Sequence, residues 1–112
     1  MPVLIQGRHD FESRVSPFEL LEALGITPAA SIADAETRLA ERHLACLPLD
    51  VLAPGLDPLL ALRPRLGVRN SAHTLAKLLD PAPSHSVRVV SVTHPEYLER
   101  MHAHLVAQGG VA

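Results

Sequence analysis

Three short apolar runs, residues 2–5 (PVLI), 44–47 (LACL) and 87–92 (VRVVSV), are separated by long helix-forming stretches with no hairpin turn signal between them. Antiparallel neighbours need a tight turn, whereas parallel strands are joined by long crossovers that are usually helical. The arrangement predicts an α/β fold: a small parallel sheet of about three strands flanked by helices. Such a sheet has two open edges. It therefore suits a fragment of a larger α/β domain, or a chain whose sheet a partner completes. Residues 1–112 are read as a single α/β segment.

The stretches between the runs carry helix start and stop signals. Ser16-Pro17-Phe18-Glu19 has the form of a capped helix start, with Phe18, Leu20, Leu21 and Leu24 as a wide apolar face and Gly25 as the stop. Ser31 caps a second helix that places Ile32, Ala35 and Leu39 on one face and a solvated row of charges on the other. Four prolines (48, 54, 58 and 64) then break the chain into short pieces, which predicts helices of one or two turns around residues 49–52 and 56–62. Ser71 is the expected cap of the next helix, with Ala72, Leu75, Ala76 and Leu79 facing the core and His73 and Lys77 on the other side. Pro95 opens a last helix with Leu98, Met101 and Leu105 as its apolar stripe. With 47% hydrophobic residues but only 3% aromatic, the core must be aliphatic.

The one cysteine, Cys46, excludes an internal disulfide and reads as a small core residue. No apolar run approaches the ~20 residues of a membrane helix. The first five residues are too short and lack the basic start of a signal peptide. A cytoplasmic protein without membrane partners is expected. His94, His102 and His104 cluster near the last helix but form no i, i+4 pair, so no metal site is expected.

Charge placement is more informative than its total. The chain carries a formal −2, yet residues 62–81 (LRPRLGVRNSAHTLAKLLDP) hold Arg63, Arg65, Arg69 and Lys77 against Asp80, a local +3. Clustered cations attract polyanions, and arginine can also stack on bases. Arg63, Arg65, Arg69 and Lys77, with Arg8 and Arg14 adjacent, are the candidate nucleic-acid or anion-binding residues. With Phe11, Phe18 and Tyr97 as the only aromatics, phosphate contacts rather than base stacking would dominate. The bland alternative is that Arg65 and Arg69 are solvated or paired with Asp50, Asp57 or Asp80.

The blocks PVLIQG, FELLEALGI, LRPRLGVR and VSVTHPEYLERM, in this order, resemble the anthranilate phosphoribosyltransferase / nucleoside phosphorylase superfamily (glycosyltransferase family 3). LGVRNSAHTLAKLLDP followed by VSVTHPEYLERM is closest to its YbiB-like, nucleic-acid-binding branch. The resemblance implies a segment of that larger phosphoribosyltransferase-like domain and a single-stranded DNA or RNA partner. By the same resemblance, Arg63 would contact an acidic substrate, and Gln6, Gly7 and Arg8 would line the donor site.

Several positions depart from the enzymes. Their Lys-His-Gly-Asn-Arg block falls on Ile5, Gln6, Gly7, Arg8 and His9, and their His-Pro on Ala53-Pro54. Their Gly-Pro turn falls on Ala76-Lys77, which lets a helix continue. Neither a phosphate-cradling glycine loop nor a paired acidic motif for Mg²⁺ occurs in the chain, so no catalytic residue and no cofactor is assigned. Mg²⁺ and phosphoribosyl diphosphate would belong only to an active transferase parent. The remaining reading is a structural fragment that dimerises through its unfinished sheet or an apolar surface.

Overall fold

The computed structural model describes residues 1–8, 15–83 and 86–109, and the chain divides into two compact units, Met1–Pro81 and Ala82–Ala112. In the first unit, strand β1 (Val3–Gly7) pairs in parallel with β2 (Leu44–Pro48), from Val3 opposite Leu44 to Gly7 opposite Pro48. Helices α1 (Pro17–Ala23) and α2 (Ile32–Arg42) form the crossover. This is the parallel α/β arrangement that the absence of a hairpin demands.

Caps set the limits of these helices. Ser16 Oγ accepts from the Glu19 N–H at 3.3 Å, and Ser31 Oγ from the Asp34 N–H at 3.0 Å. Asp34 adds a second tie by accepting from the Ala30 N–H at 2.9 Å, and it holds Arg38 one turn on. Arg38 in turn donates to the Thr27 carbonyl, so the loop into α2 is pinned from both sides. α2 ends at His43, whose left-handed backbone (φ 59°) turns the chain straight into β2, and the His43 carbonyl accepts the Val3 N–H at 2.9 Å.

β2 is covered on both faces: Ala45, Cys46 and Leu47 are all buried. Ala45 and Leu47 pack with Ala29 and Ala35, joined by Leu4, Leu39, Val51 and Leu52. A second cluster gathers Leu49, Leu60 and Ala72 with Ala53, Leu56, Ala76 and Leu79. Among the described residues, the buried apolar core is alanine and leucine apart from Phe18, Cys46 and Met101.

After β2 the prolines break the chain into short pieces as expected, three of them beside a helix start and Pro54 in a turn. Pro48 precedes α3 (Leu49–Leu52), Pro58 lies in the first turn of α4 (Asp57–Ala61) and Pro64 in that of α5 (Arg63–Leu66). Proline's fixed φ suits a first helical turn and its missing N–H costs nothing there. The single helix expected over 56–62 is thus α4, with a separate α5 behind it. α6 (Ser71–Leu78) follows, capped by Asn70 and not by Ser71.

The structure narrows two predicted apolar faces. Leu20 and Leu24 are exposed, because Phe18, with half-buried Leu21, fills the inner side of the two-turn α1. Leu75 is exposed too, since α6 docks through the small residues Ala72 and Ala76.

The second unit holds α7 (Pro95–Ala107), with Met101 buried, Leu105 half-buried and Leu98 exposed. The expected third strand is overturned: residues 87–92 pair with no strand, and the sheet among the described residues has two strands. The period-2 pattern of VRVVSV is present, but a strand exists only through its ladder, and Val87 and Val89 stand 83% and 96% exposed.

Candidate nucleic-acid interface

The cations of residues 62–81 lie along two short helices, α5 and α6, joined by a tight turn. Pro64 starts α5, and Gly67 stops it with φ 70°, a left-handed conformation that costs a residue without Cβ nothing. Three residues later Asn70 caps α6. Asn70 Oδ1 accepts from the Ala72 N–H at 3.0 Å, and Asn70 Nδ2 donates to the Leu59 carbonyl at 2.6 Å. One side chain therefore both starts α6 and ties it to α4.

His73, at the third position of α6, completes the cap by accepting the Asn70 N–H on Nδ1 at 3.2 Å. Its pKa lies below the ordinary histidine value. Burial is the main cause, and the fields of Arg69, Arg63 and Lys77 push the same way against a hydrogen bond to the Asn70 backbone. Three of the four predicted cations thus act on one half-buried ring. Arg65 is not among them. It sits two residues beyond Arg63, about 200° round the helix axis. Arg65 and Arg69 are exposed and make no salt bridge among the described residues, whereas Arg63 and Lys77 are half-buried and hold interactions of their own.

Arg8 does not join them. Its guanidinium lies 2.6 Å from the Asp57 carboxylate and donates to the Asp57 carbonyl at 3.0 Å, with both side chains about four-fifths covered. Pairing by aspartate, foreseen for Arg65 or Arg69, falls on Arg8 instead. Arg14 lies outside the described residues. Gln6 turns towards α6, where its Nε2 donates to the Ala76 carbonyl at 3.2 Å. Gly7 ends β1 with φ 155° and borders a crevice of about 500 Å³, which Arg8, Phe18, Pro48, Asp50 and Asp57 also line. Gly7 and Pro48 are the last residues of the two strands, so the crevice opens at their carboxyl ends, where parallel sheets commonly bind ligands.

The sequence did not disclose the Asn70–His73 cap, because the usual reciprocal pattern has Glu or Gln at the third position. The available signal was Asn-x-x-His directly after a glycine-ended turn.

No family model matches the chain. It is 42% identical over 101 residues to "Uncharacterized protein YbiB" of Escherichia coli (strain K12). The chain is similar to YbiB. The match takes in 89% of this chain and 32% of that protein, so the chain spans about a third of the length of the curated relative it matches. The similarity accords with the YbiB-like branch expected from residues 66–81 and 90–101 and speaks to no glycosyltransferase. Among the described residues no helix is long and apolar enough to cross a membrane, and no group of three His, Cys, Asp or Glu side chains is placed to hold a metal ion.

Proposed function

We propose that this chain is the cation-bearing part of a YbiB-like, glycosyltransferase-family-3-like protein that binds single-stranded nucleic acid without sequence preference and without transferase chemistry of its own. The observation that carries this reading is that the fields of Arg69, Arg63 and Lys77 all reach His73, with Arg69 exposed in the turn and Arg65 exposed on another side of α5. A patch that raises the potential at a neighbouring imidazole also attracts phosphates, and a surface without aromatic side chains grips the backbone rather than the bases. Arg8 and Gln6 are left out of the interface by their bonds to Asp57 and Ala76.

Salt dependence tests it. If four cations each meet a phosphate, the affinity of the chain for an oligothymidylate falls about 50-fold between about 50 and 200 mM salt. A flat affinity over that range, measured by fluorescence anisotropy, removes the reading.

The crevice at the strand ends supports a second reading, a phosphoribosyltransferase whose phosphate loop and Mg²⁺ carboxylates lie elsewhere in a longer chain. Arg63 would then orient an anionic aromatic acceptor. The lysine and asparagine of the enzymes' donor block are replaced here by Ile5 and Arg8, and Arg8 is committed to Asp57. Turnover of phosphoribosyl diphosphate with Mg²⁺ by the full-length protein would favour this reading over the first.

A further inference from the structure

His73 feels the fields of three of the cations, and its own chemistry is unused by the binding reading. Nδ1 lies 3.2 Å from the Asn70 nitrogen, whose N–H it accepts, and 3.3 Å from both the carbonyl and the Oδ1 of the same residue. A ring nitrogen accepts only when it carries no proton, so the neutral ring holds its hydrogen on Nε2. A protonated Nδ1 loses the N–H contact but finds two oxygens already within reach. Both charge states of the ring therefore have a partner on Asn70, and the surroundings decide between them.

The charges whose fields act on the ring are all cationic. Arg63 acts from α5, Arg69 from the turn and Lys77 from α6 itself. Of the elements packed against α6, α4 brings one ionisable residue, Asp57, which is held by Arg8. α3 brings Asp50, which faces the crevice, and β1 reaches α6 through the uncharged Gln6.

We propose that the Asn70–His73 cap is the proton-linked part of this surface: when phosphates lie across Arg63, Arg69 and Lys77, His73 takes up a proton and Nδ1 changes from accepting the Asn70 N–H to donating to an Asn70 oxygen. The proposal rests on the polyanion reading and goes beyond it by adding a pH response. In the free protein, burial and the three cations keep the ring neutral below the ordinary histidine value. Bound phosphates offset the cations, so the complex holds the proton up to a higher pH. Binding then takes up protons, and affinity rises as pH falls through the bound-state midpoint, ceasing to rise below the free-state one.

The ring itself reports the outcome. Nitrogen and carbon shifts of His73 are followed against pH in the 112-residue chain, with and without oligothymidylate at about 50 mM salt. Free protein at pH 8 shows an unprotonated Nδ1, and the oligonucleotide moves the midpoint upward. Affinity gains roughly fivefold or more between pH 8 and pH 6. In His73→Gln, where the amide still accepts the Asn70 N–H as in an ordinary capping box, the gain between pH 8 and pH 6 attributable to this site is lost. If the oligonucleotide binds while His73 titrates unchanged, the proton linkage is wrong and the binding reading stands. If nothing binds at low salt at either pH, both fall together.

Discussion

Arg8 and Asp57 form a 2.6 Å ion pair that joins the end of β1 to the start of α4. Both side chains are largely covered, and Arg8 makes a second bond to the Asp57 carbonyl, so the pair acts as a brace beside the crevice and not as a phosphate grip. Arg8→Gln leaves a mostly buried carboxylate unpaired and should cost about 1–3 kcal/mol in thermal or denaturant unfolding. Oligonucleotide affinity should stay within about twofold of the parent chain. A larger loss of affinity without loss of stability would return Arg8 to the interface.

Asn70 and Ser71 offer a sharp contrast between neighbours. Asn70→Ala removes the bond to the Ala72 N–H and the tie to Leu59, for an expected loss of about 1–2 kcal/mol. Ser71→Ala, at an exposed first helical position, should change stability by less than about 0.5 kcal/mol. Equal effects in chemical denaturation would mean that Asn70 is not the cap.

The caps and breakers were legible in the sequence because they are local. Ser16, Ser31, Pro58 and Pro64 each set a helix start through bonds or dihedrals within one turn of themselves. The strand at 87–92 was not decided locally: its alternation qualifies it for a ladder, but a ladder needs a neighbour. Among the charges, spacing along the chain groups Arg63, Arg65, Arg69 and Lys77, and the fields of three of them, Arg63, Arg69 and Lys77, reach His73. Arg8's partner is 49 residues away, so no local rule could find Asp57. Asn70 and Ser71 are adjacent residues that both cap well, and only the reach of the Asn70 side chain to Leu59 separates them.

Asp34 should govern part of the acid response of the first unit. Its carboxylate accepts from the Ala30 N–H and holds Arg38, which together lower its pKa below the ordinary aspartate value. A depressed folded-state pKa means that the unfolded chain binds the proton first as pH falls. The stabilisation is complete above the unfolded-state value and disappears as pH drops through the folded one. Asp34→Asn should lower the Tm at neutral pH and flatten its decline on the acid side. Parallel Tm–pH curves for the two chains would show that Asp34 contributes nothing.

Cys46 lies in the middle of β2, essentially without solvent contact, and burial pushes its thiol pKa up. A protonated, enclosed thiol is a poor nucleophile. An aromatic disulfide reagent at neutral pH should modify it only as fast as the sheet opens, and at once in denaturant. Immediate reaction in native buffer would mean that β2 is not the covered strand described above.

Arg65 and Arg69 carry the most direct test of the interface, because both are exposed and neither holds a carboxylate among the described residues. Removing them should leave folding intact while taking away two of the phosphate contacts. For a single strand each lost contact lowers the slope of log affinity against log salt by about 0.7, so Arg65→Ala/Arg69→Ala should reduce it by about 1.4. The same reduction should appear with oligonucleotides of unrelated sequence, since backbone contacts carry no base information. An unchanged slope would place any bound strand elsewhere on the molecule, and a loss confined to one sequence would mean that the arginines read bases.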